Sequence, residues 1–525
     1  MKRAIFIGAI VVLSAVVTAI NFNSSEESAV NFENAIKITP NLVKMRQPMT
    51  ANSGGNVLIT ADSIDDDHLP AITRDPSGNI VVTWTTEYSL LDGDIGFAYS
   101  QDGGSTWTGY MLLLDGKEEY SDCAAVYGNK YEGGGEFTGI WGVYLDPLNE
   151  QLGFYRMSDI TNTETWEFYY WVSTYENPTY ACISDDTWYN EFNYDITGPT
   201  NMEIHDEDYG GGIPGCPSHW YVDGAVEQGG VQYFDAQSEL LTAPASDPDM
   251  VCIHDSNPAQ TEDDFVYLTW QYSGPDGNKI VLKKIVPNIE PDIEYTPYQQ
   301  YIGEGTNPNI GASGDNVVVV YMSGGNVVAA YSSDRGETWA TSTIGPGKYP
   351  AVYMSGSNAY CAYINNGNLY LVESNDGGAT WGSPQQINDV DGSVVEEENA
   401  VDIHPAGIVW TDNRNGNYDI YFASGAAAPV LNVASISGGF GVSAVIENIG
   451  TGDASDVQWS IDITGGIVLK GHAEGTIASL PAGSSTTVSS GLVLGIGPVT
   501  VTVTADGASK TASGFMLGPL VLGVS

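Results

Sequence analysis

One eight-residue pattern, Ser-x-Asp-x-Gly-x-Thr-Trp, occurs three times in this 525-residue chain, at 100–107, 332–339 and 374–381. Self-similarity constrains architecture more than local propensity does, because each repeat is a unit that must bury its apolar face against a neighbour. The residue types fit a tight hairpin turn. Gly104, Gly336 and Gly378 supply a positive φ without a Cβ penalty. Ser100, Asp102, Ser332, Asp334, Ser374 and Asp376 present oxygens to the turn N–H groups that a sheet leaves over. Trp107, Trp339 and Trp381 are expected to fold back as apolar plugs, each against its own sheet.

The strands around the pattern repeat with it. The last two copies are 42 residues apart (332 to 374), and so are Pro308 and Pro350. Each unit runs Pro-x-Ile/Val, then two apolar alternating strands, then the turn, which is the strand-and-hairpin signature. The turn is an Asp box, and the repeat resembles that of the sialidase-like (BNR-repeat) β-propellers. The resemblance implies an all-β fold with seven blades between about residues 62 and 426, six being the alternative. Further units start at Pro70, Cys123, Pro178, Pro248 and Val401, the second ending in a degenerate box at Thr165-Trp166.

Both ends separate from this body. Residues 1–20 carry Lys2, Arg3 and an apolar run over 4–17, which predicts a secretory signal peptide. Residues 21–61 read as a lead-in. After residue 426 aromatics thin out and Val, Ser and Gly take over. The segments 445–452, 479–486 and 497–506 resemble a CARDB-type immunoglobulin-like β-sandwich, placed at about 429–520. That family implies an adhesion or spacer module of prokaryotic surface proteins. The apolar tail 514–524 is too short to span a bilayer and is expected to form a last strand.

Net charge is −49, and the cause is 17 Lys plus Arg against 66 acids. Such a surface repels nucleic acid and anionic lipid, which excludes both as partners. The mature chain is expected to carry no membrane-spanning segment. Five cysteines show no Cys-x-x-Cys spacing. In an oxidising compartment a disulfide is expected, and Cys182 with Cys216 would staple the third blade.

Sialidase-like enzymes clamp a substrate carboxylate with three arginines, whose planar forks match it bidentately. Beyond the leader only Arg46, Arg74, Arg156, Arg335 and Arg414 are available, and several sit in turn motifs, so no catalytic residue is assigned. The cluster Asp65, Asp66 and Asp67 before the first blade suits Ca²⁺, which takes six to eight oxygens. A long insertion at 186–245 carries Trp188, Tyr189, Trp220 and Tyr221, which suit stacking on a sugar. The chain therefore reads as a secreted or cell-surface, non-catalytic binding protein whose propeller rim takes an extracellular glycan or a surface protein. The alternatives are a glycoside hydrolase on the same propeller and a structural component of the cell envelope.

Overall fold

The computed structural model describes residues 35–45, 56–60, 65–75, 77–89, 92–114, 118–131, 135–146, 151–171, 178–184, 189–190, 194–196, 200–206, 218–228, 231–240, 245–253, 265–286, 294–295, 300–424, 431–448, 454–480, 484–505 and 508–524. The expected signal peptide lies outside them, as do Trp188 and Cys216. Among the described residues there is no α-helix, only one 3₁₀ turn at Thr163–Thr165.

Seven antiparallel sheets form a β-propeller. Their innermost strands are, in blade order, Asp66–Arg74, Glu119–Tyr131, Pro178–Ser184, Ala245–Ile253, Thr306–Ser313, Lys348–Ser355 and Val401–His404. Each packs against the next, and the seventh packs against the first, so the ring is closed. The lead-in takes part in the sheets. Ala35–Ile38 adds an outer strand to blade 2, Asn41–Lys44 one to blade 1, and Val57–Leu58 pairs with Asp419–Ala423 to complete blade 7. Most of the segment read as an insertion also belongs to a blade. Thr200–Asp206, Ser218–Gln228 and Val231–Leu240 extend the sheet of blade 3.

The apolar cores lie in the seams between blades. One unites Phe97 and Leu112 of blade 1 with Tyr155 and Phe168 of blade 2, and another unites Val320 of blade 5 with Met354 of blade 6. The Asp-box tryptophans fill these seams, which corrects the expectation that each plugs its own sheet. Trp107 meets Phe422 of blade 7 edge-on at 5.1 Å, Trp339 packs on the core shared with blade 4, and Trp381 on that shared with blade 5. A blade buries little within itself, so its largest side chain gains most between two sheets. Gly104 shows the same closeness: at φ +88° a Cβ there would stand 2.1 Å from the Phe422 ring. Within each box the bonds are those the motif implies. The Gly N–H donates to the Ser Oγ at 2.8–2.9 Å, and the Thr N–H to the Asp Oδ1 at 2.8–2.9 Å.

The innermost strands leave one edge unpaired toward the channel, and its N–H groups need acceptors. Near the start of five of these strands a bulge interrupts the register, with a non-glycine residue at positive φ: Leu69, Tyr120, Asp247, Asn307 and Tyr349. In four of the five a proline follows, where an absent N–H costs nothing. Just beyond, four side chains satisfy seven edge N–H groups, one per blade. Asp122 accepts from its neighbour Cys123 (2.8 Å) and from Ile183 of the next blade (3.0 Å). Asp249 accepts from Met250 (2.9 Å) and Ile310 (2.7 Å), and Asp402 from Ile403 (2.7 Å) and Ile72 (2.7 Å). Asn309, needed once only, takes Val352 at 2.6 Å.

After the propeller, Leu431–Asn448 to Leu520–Leu522 form one eight-stranded hydrogen-bonded sheet that folds over a single core containing Val442, Ile461, Val501 and Met516. The apolar tail lies in two of its strands, Ala508–Gly518 and Leu520–Leu522.

Removing an acceptor from the ring should strand a fixed number of N–H groups, at roughly 1–3 kcal/mol each. Denaturant titration should therefore show Asp249→Ala losing about twice the stability lost by Asn309→Ala, with Asp249→Asn between them. Equal losses would mean that channel water takes over the vacated bonds.

Candidate functional site

The bulged ends of the innermost strands and the adjacent hairpins make one face of the propeller, and the channel opens there. Acids crowd this mouth. Glu398, ahead of the blade 7 strand, lies beside Asp247 of blade 4, so two carboxyl groups from distant blades meet across it. Burial and then the neighbouring Asp247 push the Glu398 carboxyl far up. At the joint between blades 7 and 1, His68 lies 3.4 Å from Glu397 and 3.8 Å from Glu87, with the Tyr418 ring 6.5 Å away. Burial opposes charge on His68, but the bond to Glu397 and the charges of Glu397, Glu87 and Asp67 outweigh it, and the imidazole is easier to protonate than usual. Glu118, fully buried between blades 1 and 2, accepts from Tyr170 Oη at 2.7 Å and is pushed up to about 7 by burial.

Deeper in, Asp122, Asp249 and Asp402 surround the channel. Solvent reaches each only in part. Burial, with the charge of Asp402, pushes Asp122 up to about 7. Burial alone pushes Asp402 up to about 6, and it raises Asp249 as well. Three carboxyls around one channel invite a hydrolytic reading. Yet both oxygens of each are engaged by backbone N–H groups.

A groove of about 380 Å³ lies on the same face over blades 4 to 6. Its walls are Asn278, Gly305–Thr306, Met322–Gly325 and Gly347–Lys348. Gly324 and Gly325, at φ +59° and +82°, turn the hairpin and leave its backbone bare.

The expected calcium residues do not gather around one point. Asp67 is buried and accepts from Trp84 Nε1 (3.1 Å) and Thr86 Oγ1 (2.5 Å). Asp66 accepts from the Tyr418 N–H, and the Asp65 carbonyl from Asn417. Among the described residues no three His, Cys, Asp or Glu side chains are grouped as metal ligands. Tyr189, Trp220 and Tyr221 lie in strands of blade 3, where only their backbone is described.

The described arginines stay apart. Arg156 pairs with Glu167 in blade 2, and Arg335 with Asp315 in blade 5. Arg414 pairs with Asp412 and Asp389 and lies 3.9 Å over the Tyr421 ring in blade 7. Arg74 ends the innermost strand of blade 1, away from the mouth. No three-arginine clamp forms among the described residues. Sequence reasoning missed the acceptor ring, although its signal was present as the unread x of Pro-x-Ile/Val in Pro248-Asp249-Met250 and Pro308-Asn309-Ile310.

No family model and no curated protein matches the chain. Solved structures resemble it at low scores. The GH93 α-L-arabinofuranosidase of Fusarium graminearum with arabinobiose is 11% identical over 70% of this chain and 97% of its own, at TM-score 0.38. A Dyadobacter fermentans protein of unknown function is 11% identical over 71% and 97%, at TM-score 0.39. The fucose-specific lectin of Aleuria aurantia is 12% identical over 69% and 96%, at TM-score 0.34. At these scores the likeness assigns no residue role and no ligand.

The buried acids set a pH dependence. Asp122 and Asp402 titrate near 7 and 6 when folded, against an ordinary carboxylate near 4. Their stabilising contribution is complete below about pH 4 and is lost as pH rises through 6–7. His68, also raised, contributes fully below about 6.5 and loses this above it. The Asp-box carboxylates run the other way, Asp334 being held down to about 2 by its bonds from Thr338, so acid removes their contribution. Tm should therefore peak near pH 4–5 and fall toward pH 8, and an Asp122→Asn, Asp402→Asn variant should show a flatter fall over pH 5–8. A Tm that rises from pH 5 to 8 would contradict this assignment.

Proposed function

We propose that this protein is a secreted or cell-surface, non-catalytic binding protein that takes an extracellular glycan or surface protein on the propeller face carrying the channel mouth. One observation carries the reading: the carboxyls that hydrolysis would use are held by backbone N–H groups as part of the fold. What remains open on that face is the groove over blades 4 to 6, whose volume of about 380 Å³ suits one or two sugar rings. Bare glycine backbone there lets a ligand approach closely. Tyr88, 39% exposed, and the half-buried Tyr418 offer ring faces at the mouth. The net charge of −49 selects neutral or cationic ligands over anionic ones. The Asp-box repeats and the CARDB-like texture of the last domain support display outside the cell.

A second reading, a glycoside hydrolase, rests on the raised proton affinity of Asp122 and Asp402 in one channel.

An array of neutral, cationic and sialylated glycans, read for both retained protein and released sugar, separates the two. Retention on neutral or cationic glycans without release is expected, and Ser323→Trp, which fills the groove, should abolish it at unchanged Tm. Release of sugar that stops in Asp122→Asn would establish the hydrolase. Preferential retention on sialylated glycans would contradict the electrostatic argument, and silence on every glycan would point to a protein ligand.

A further inference from the structure

The C-terminal sheet carries an apolar face that its own core does not cover. Cross-strand register places the residues of this face side by side. Ile467 opposes Ile496, which opposes Leu517. Phe515 opposes Leu522, and Leu520 opposes Phe440. The residues between them, Met516 and Val521, point inward and are 0% and 1% exposed, so the alternation of the strands turns the named set outward. Apart from the half-buried Leu520, exposure on this side runs from 43% at Leu494 to 78% at Phe440. Eight exposed large apolar side chains in strands of this sheet, at roughly half exposure, make a face on the order of 800 Å², about one partner's share of a standard protein interface. A monomer's largest apolar patch is usually about 300–600 Å².

Charge distribution narrows the occupant. After residue 430 the only acids are Glu447, Asp453, Asp456, Asp462, Glu474 and Asp506, and the only bases Lys470 and Lys510. No charged residue lies between Glu474 and Asp506 or after Lys510, and those two stretches supply most of the face. Nearly all of the −49 charge is thus on the propeller. A bilayer is a poor match, because membrane-surface faces carry a basic rim and this one carries a single lysine, Lys470, opposite Leu494. A second copy is a good match. Two sheet faces with so little charge can pack about 10 Å apart, and a two-fold axis makes a face complementary to itself.

We infer that two copies of this chain pair face to face through the outer surface of the C-terminal sheet, around Ile496, Phe515 and Leu517. The contact is apolar apart from Lys470 at its edge, so the main charge effect on pairing is repulsion between propellers. Salt screens that repulsion and should tighten the dimer.

Sedimentation equilibrium of the full chain, over a micromolar concentration series in 0.15 M and 1 M NaCl, tests the inference. A mass of twice 55.9 kDa is expected, with tighter association in 1 M salt. Ile496→Glu and, separately, Leu469→Glu place a charge on exposed positions that the fold does not need. Each should weaken association at least about 100-fold at unchanged Tm. A monomer at all concentrations in both salts overturns the inference. So does a dimer that persists in both variants, or one that 1 M salt dissociates. Flotation with phosphatidylcholine vesicles covers the remaining occupant: binding by a monomeric wild type, lost in Ile496→Glu, would assign the face to lipid and overturn pairing.

Discussion

Seven backbone N–H groups facing the channel, and the four side chains that accept from them, are the constraint on which the propeller depends. Every blade presents an inner edge with no partner strand, and an unsatisfied buried N–H costs as much as a lost hydrogen bond. A carboxylate has two oxygens, so one aspartate serves its own strand and the next. Three aspartates cover six blades, and the odd seventh needs a single acceptor, which an asparagine supplies at 309. This is why Ala71 and Ala351 can stand where other blades carry acids: the N–H groups of Ile72 and Val352 beside them are served by the preceding blade. The ring also sets the chemistry of the channel. Acids that complete the backbone bonding of a narrow channel are poorly solvated, and their raised proton affinity follows from that position without a catalytic role.

The same joints are held from outside by the Asp boxes. Their hydrogen bonds shape the turn, and the turn wedges a tryptophan into the seam with the preceding blade. Inner polar ties and outer apolar wedges thus act on one degree of freedom, the angle between neighbouring sheets. The seam between blades 7 and 1 has the most to hold, since it joins the two ends of the propeller chain. Val57–Leu58 pairs into blade 7, Trp107 packs on Phe422, and His68 reaches Glu397 across it.

The all-β class, the seven units and their order were legible because a turn motif and a period survive in the residues themselves. Trp107 and Trp339 were legible as plugs but not as wedges, since a local pattern does not say which sheet a side chain meets. The outer strands of the third blade fell within the insertion read at 186–245, because strands such as Ser218–Gln228 lack the box and the period, so only long-range pairing defines them. Asp122, Asp249 and Asp402 were hidden among 66 acids. Their role depends on which N–H group stands opposite in the next blade, a relation of the closed ring that no single unit contains. The cluster 65–67 misled for the converse reason. Three adjacent residues of a strand point to different sides, and Asp67 is drawn inward by Trp84 and Thr86.

The charge of the chain is partitioned as its surfaces are. The propeller keeps nearly all the acids and presents polar groups and bare backbone around its mouth. The last domain is almost uncharged and turns leucine, isoleucine and phenylalanine outward. An even spread of 66 acids would have put charge on the C-terminal sheet and made its apolar face untenable as a contact. Confining them to the propeller leaves the C-terminal sheet without the repulsion that would oppose the proposed pairing. Joined through their C-terminal sheets, two copies would carry two propeller faces in one particle. On the proposed reading, a weak ligand contact on each face would gain from the effective concentration of the second, without any new contact at the groove.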